Sequence, residues 1–104
     1  MSIIDLANDA RTRITEVDLQ DINTDEYTLV DVRENQDYDT SHLPNAVNIP
    51  FSVFENEIQS AFPTKTTPLA IYCTLGNRSA IVADILQKLG YESIVSIRGG
   101  LSKS

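Results

Sequence analysis

The 104-residue sequence contains one cysteine, one histidine, no tryptophan and only eight lysines and arginines, and each shortage excludes a class of chemistry. One cysteine forbids an internal disulfide. Cys73 and His42 fall well short of the roughly four Cys or His ligands of a closed zinc site, so neither a metal nor another cofactor is expected. Fifteen acidic residues outnumber the basic ones, the net charge is -7, and no Lys/Arg cluster is present. Counterion-release binding therefore has no footprint, and neither nucleic acid nor an anionic membrane is an expected partner. No stretch reaches the roughly 20 apolar residues of a membrane span, and the opening MSIIDLANDARTR lacks both a basic n-region and a long apolar one. A cytoplasmic location is the expectation, in keeping with an unpaired thiol that must stay reduced.

What is present fits one globular domain: 41% hydrophobic and 22% charged positions with few Gly or Pro. Two full domains are excluded. At this length a single core still buries roughly 60 to 70% of the surface of the unfolded chain, so folding needs no staple.

Along the chain, residues 1–13 read as an arm or short amphipathic helix through Ile3, Ile4, Ala7 and Ala10, and residues 14–104 as the domain proper. Thr15 with Asp18 resembles a capping box, which predicts a short helix over 16–22 burying Val17, Leu19 and Ile22. TLVDVR (28–33) reads as a buried strand. Glu34, Asp37 and Asp39 then form a solvated loop or helical turn before a second strand, AVNIP (46–50). Ser52 with Glu55 predicts a capped helix over 52–61, whose apolar side carries Phe54 and Ile58 between Phe51 and Phe62. LAIYC (69–73) is a strand ending at the cysteine. A helix follows over 79–90 with Ile81, Ile85 and Leu89 on one face and Gly90 at its C-terminal cap, then a last strand, SIVSI (93–97), and a Gly-rich turn. Strands alternating with helices imply right-handed crossovers, hence an α/β fold with a mostly parallel sheet covered on both faces. Ligands in such sheets bind beyond the carboxyl ends of the strands, where residues 73–79 lie.

That loop carries the candidate chemistry. A thiol at the end of a buried strand, followed within six residues by a helix, requires a tight turn, and inward-facing amides would make it an anion cradle backed by the helix N-terminus. Gly76 is suited to a positive φ in such a wrap, and Arg78 adds a cation with a fork matched to oxyanions. The expected result is a Cys73 thiolate that is nucleophilic without a general base. A cysteine that ends a core strand is often mere packing. Against that stand its neighbours, because Gly, Asn, Arg and Ser are poor core residues and good cradle residues.

The same residues carry a family resemblance. Leu29-Val30-Asp31-Val32-Arg33-Glu34, Tyr38 with Ser41-His42-Leu43-Pro44-Asn45-Ala46-Val47-Asn48-Ile49-Pro50, Ile71-Tyr72-Cys73 with Gly76-Asn77-Arg78-Ser79, Leu89-Gly90-Tyr91 and Arg98-Gly99-Gly100-Leu101 together resemble a single-domain rhodanese homology protein. The resemblance implies a three-layer α/β/α domain with a mostly parallel five-stranded sheet and a sulfurtransferase that carries sulfane sulfur as a persulfide on Cys73. Thr74, Leu75, Gly76, Asn77, Arg78 and Ser79 would form the substrate-binding loop. The implied partners are a small-molecule donor such as thiosulfate, or a protein persulfide, and a thiol acceptor, with the chain acting as a monomer. Arg78 stands five positions after Cys73, which resembles the sulfurtransferases, whereas phosphatase and arsenate reductase relatives have one residue more. Those activities, and a non-catalytic interaction module, are the alternatives.

Asp31 with Arg33 reads as a structural ion pair, His42 as a scaffold residue, and Leu75 as an exposed contact at the loop tip. Two departures stand out: Ser41 where the family usually has Gly, and no aromatic tail after Leu101. The family's final helix is then either absent or replaced by the N-terminal segment.

Overall fold

The computed structural model describes residues 2–103. Five strands, β1 (Glu16–Val17), β2 (Thr28–Asp31), β3 (Val47–Asn48), β4 (Leu69–Tyr72) and β5 (Ile94–Ile97), alternate with helices α1 (Ile3–Ala10), α2 (Asn35–Thr40), α3 (Phe54–Ala61) and α4 (Asn77–Lys88). The strands form one parallel sheet in the order β1-β5-β4-β2-β3, with β4 at its centre.

The period-2 alternation of strand side chains divides the core in two. Val30, Leu69, Ile71 and Ile94 face α3 and α4, meeting Phe54, Ile58, Val82 and Leu86. Leu29, Ala70, Tyr72, Val95 and Ile97 face the other way, toward Leu19, Tyr38 and Leu43. Every residue of β4 is buried, as a strand covered on both faces must be. Among the described residues no helix is long and apolar enough to cross a membrane.

The predicted helix over 16–22 does not form. Glu16 and Val17 pair with β5, Ser96 N–H donating to Thr15 O at 3.0 Å and Arg98 N–H to Val17 O at 2.8 Å, and only a 3-10 turn at Leu19–Asp21 follows. Asp18 is taken by the Arg98 guanidinium at 2.9 Å instead of closing a capping box. Val17, Leu19 and Ile22 are half-buried against the second core rather than lying on a helix face.

The Ser52 cap is likewise absent. A 3-10 turn at Phe51–Val53 precedes α3, and the Ser52 hydroxyl donates to Glu34 Oε1 at 2.9 Å. The strand expected over 46–50 shortens to Val47–Asn48 at the sheet edge, because the Asn48 amide turns back to the carbonyls of Asp31 and Arg33 at 3.0 and 2.9 Å. The acidic segment after β2 is a real helix, α2.

Residues 1–13 contribute α1, capped by Ser2 and Asp5 in a true capping box and docked on α4 through the buried Ala7 and Ala10. Arg13 fastens this contact with two bonds to Asp84, at 2.9 and 2.8 Å. The pairing holds the Asp84 carboxyl below the usual carboxylate range. At the other end, a 3-10 turn at Gly100–Lys103 follows β5.

Candidate active site

Cys73 is the first residue past β4, and the alternation that sends Leu69 and Ile71 toward α4 sends its side chain the same way. Its sulfur therefore meets the start of α4, where first-turn amides have no helical partner. Gly76 N–H lies 3.1 Å and Ser79 N–H 3.4 Å from Sγ, both donating to it. In the thiol form S–H reaches Ser79 Oγ at 3.5 Å. A helix N-terminus and two N–H donors are thus directed at Sγ.

The turn that aims these amides depends on Gly76, at φ 91 immediately before α4. This turn starts α4 at Asn77, two residues ahead of the expected 79. A Cβ at Gly76 would stand 2.9 Å from Gly99 N, so both the backbone angle and the close approach require glycine. A buried hydroxyl chain supports the same turn: Ser96 donates to Ser79 Oγ at 2.8 Å, and Ser79 donates to Gly76 O at 3.2 Å. From the other side the C-terminal turn braces the loop, with Leu101 N–H on Cys73 O and Ser102 N–H on Thr74 O, each at 3.0 Å.

Cys73 is only 4% exposed, and that remnant opens into a cleft of about 380 Å³. Thr74 and Arg78 line it from the loop, and Arg33, Glu34 and Asp37 from the opposite wall. Arg78 lies over the Phe51 ring, its guanidinium carbon 5.8 Å from the centroid. Gly76 and Ser79 are buried behind the sulfur, Leu75 projects into solvent at 61% exposure, and the Asn77 side chain turns away to Arg11. The sequence had grouped these residues as one binding loop. Space separates them into cleft wall, sulfur donors, exposed tip and an anchored side chain.

Several neighbours left little trace in the sequence. Phe51 and Ser52 reach the cleft from the turn before α3, Ser96 enters through the alternation of β5, and Arg11 comes from a helix 65 residues away from the loop carbonyl it binds. Of the acidic residues expected after β2, Glu34 and Asp37 line the cleft; Asp39 is not on its wall.

Asp31 and Arg33 form the expected ion pair. The fully buried carboxylate accepts Arg33 N–H at 2.8 Å and Nη2 at 2.8 Å, and it raises the guanidinium above its ordinary value. The Ser41 carbonyl takes a further bond from Arg33 Nη2 at 2.6 Å. Tyr72 accepts from Leu43 N–H at 3.1 Å, and burial pushes its hydroxyl up to about 12, far from any acid-base duty near neutrality. His42 stacks on Tyr38 with ring centroids 3.8 Å apart, places Nδ1 2.9 Å from the Tyr38 carbonyl, and is not on the cleft wall. Among the described residues no three His, Cys, Asp or Glu side chains converge on a metal site.

Residues 16–103 match the Rhodanese-like domain family. The chain is 37% identical over 75 residues to the adenylyltransferase and sulfurtransferase uba4 of Ogataea parapolymorpha, covering 72% of this chain but 19% of that much longer protein. It is 31% identical over 70 residues to the thiosulfate sulfurtransferase PspE of Escherichia coli, covering 67% of each. Among solved structures, a rhodanese-related protein from Thermoplasma volcanium superposes with a TM-score of 0.76 at 31% identity, over 86% of this chain and 88% of that one. A parallel five-stranded sheet, a family match across nearly its whole length and relatives of this kind place the chain in the rhodanese-like domain family.

Proposed function

We propose that this chain is a sulfurtransferase that moves sulfane sulfur through a persulfide on Cys73. The observation that carries the reading is the pair of amides, Gly76 and Ser79, directed at a sulfur that opens onto a cleft. These donors stabilise a thiolate without a general base. The thiolate attacks the outer sulfur of thiosulfate, the sulfur-sulfur bond breaks, and sulfite leaves with its electron pair. The persulfide anion on Cys73 remains in the field of the same amides. An acceptor thiolate, or cyanide in an assay, then attacks the outer sulfur and releases the Cys73 thiolate, so no outside oxidant or reductant is consumed.

A donor that is itself a protein persulfide fits the cleft wall. Glu34 and Asp37 share the cleft with Arg78 and with Arg33, which is already paired with Asp31, and the two carboxylates meet a basic partner surface favourably. Mass spectrometry after incubation with thiosulfate tests the chemistry: the Cys73 peptide gains one sulfur, about 32 Da, as covalent transfer requires. The gain is absent in Cys73→Ser. A wild-type protein that takes no sulfur from thiosulfate or from a protein persulfide is a non-catalytic module, and the proposal is then wrong.

A further inference from the structure

We propose that Arg11, in the segment that precedes the family match, is a positioning residue for the Cys73 loop, an inference that rests on Cys73 being the sulfur acceptor. Arg11 caps the C-terminus of α1, and its guanidinium reaches across to the start of α4. Nη2 donates to Gly76 O at 3.2 Å and to Asn77 Oδ1 at 3.1 Å, while Nε donates to Glu16 Oε2 at 3.1 Å and Nη1 to Asn8 Oδ1 at 3.0 Å. One side chain thus ties α1, β1 and the loop together.

The tie falls at the position that aims the sulfur's donors. Gly76 carries the left-handed turn, gives one amide to Sγ and leads into the first turn of α4, where Ser79 gives the other. Its carbonyl is held from three directions, by Arg11, by the Ser79 hydroxyl at 3.2 Å and by Ala80 N–H at 3.3 Å. Fixing that carbonyl limits rotation about the Gly76 backbone, where glycine is otherwise the least restrained residue. The neighbouring Glu16 carboxylate damps the cation's field, so the fork geometry, rather than the charge, is what the loop receives. Arg13, two residues on, also joins α1 to α4 but touches Asp9 and Asp84 and none of the loop, which makes it a control within the same helix junction.

The test is the pH profile of Cys73 alkylation by iodoacetamide in the full chain, alongside thiosulfate loading. Arg11→Ala moves the profile to higher pH and slows alkylation at pH 6 by about fivefold, the worth of one well-placed hydrogen bond. Arg13→Ala lowers the melting temperature and leaves the profile in place. Arg11→Lys keeps the charge without the fork, so it is also slowed, and it carries the test should Arg11→Ala fail to fold. A wild-type profile in Arg11→Ala overturns the proposal, as does full restoration in Arg11→Lys, which would assign the effect to charge alone. An equal shift in Arg13→Ala overturns it as well, by assigning the effect to helix docking. An Arg11-dependent profile in a protein that gains no sulfur would leave the clamp standing and remove the transferase reading.

Discussion

Adjacent strands β2 and β4 end side by side at the carboxyl end of the sheet, and each presents an ionisable group there: Asp31 on β2 and Cys73 just past β4. The two are satisfied in opposite ways. Asp31 is fully buried and paired with Arg33, whose side chain is 11% exposed, by charge-assisted bonds from its backbone N–H and guanidinium. Among the described residues the hydrogen-bond partners of the Cys73 sulfur are two amides and a hydroxyl, with no cation among them. A buried carboxylate locked to a guanidinium fixes geometry, whereas a sulfur held by neutral donors keeps its nucleophilic electrons available toward the cleft. Cys73 lines the cleft and Asp31 does not, so access and the kind of partner together separate the reactive group from the structural one.

The sharpest way to break this comparison is to neutralise each group in turn. Cys73→Ser removes the nucleophile and should lower thiosulfate-dependent thiocyanate formation by about a thousandfold or more, with stability within about 1 kcal/mol of wild type, since a hydroxyl can use the same donors. Asp31→Asn should do the reverse. It leaves Arg33 without its buried counterion and should cost about 3 to 5 kcal/mol in urea unfolding. Loss of turnover in Asp31→Asn without loss of stability would mean that Asp31 acts in the chemistry and that the division drawn here is false.

Gly100 probes what the two strand ends share, which is bracing by neighbouring backbone. It sits at φ 53 against the loop, and a Cβ there would be driven into the Cys73 carbonyl and to 2.7 Å from Thr74 O. Relief requires the C-terminal turn to lift, breaking the Leu101 and Ser102 bonds to the loop. Gly100→Ala should therefore cost about 2 to 3 kcal/mol and slow Cys73 alkylation, while leaving the Asp31 side of the sheet end unchanged. Unaltered alkylation kinetics in a folded Gly100→Ala would show that the turn does not brace the sulfur.

How much of this arrangement was legible in the sequence depends on how local its cause is. β4 was readable, and α4 to within two residues of its start, because a four-residue apolar run, a thiol and then a glycine dictate strand, turn and helix within ten residues. The same locality made Asp31 with Arg33 readable. Thr15 with Asp18 and Ser52 with Glu55 look like helix caps over the same short range, yet distant partners, Arg98 and Glu34, claim Asp18 and Ser52. The two amides on Sγ lay within the expected loop, but which two depended on the angle at Gly76. Arg11, Ser96 and Ser102 reach the loop only through tertiary packing, so no spacing along the chain announces them.

The Arg13–Asp84 pair sharpens the comparison from a third position, because it has the chemistry of Asp31–Arg33 with far more solvent around the cation. Asp84 is 8% exposed and Arg13 40%. Lys88 Nζ also stands 3.2 Å from Asp84 Oδ2, and Arg13 hydrogen bonding is the main cause of the lowered Asp84 carboxyl. The unfolded chain therefore binds this proton at higher pH than the folded one. The stability it provides is complete above the ordinary carboxylate value of about 3.9 and is lost as pH falls through the lower folded value. Screening at the exposed guanidinium keeps the contribution small. Melting temperatures of wild type and Asp84→Asn between pH 6 and 2 should accordingly converge as the acid end is approached, with wild type the more stable by a few degrees at pH 6. Parallel curves across that range would place the holding force of α1 in the Ala7 and Ala10 contact with α4 rather than in the ion pair, and the difference between buried and exposed pairs would lose its exposed member.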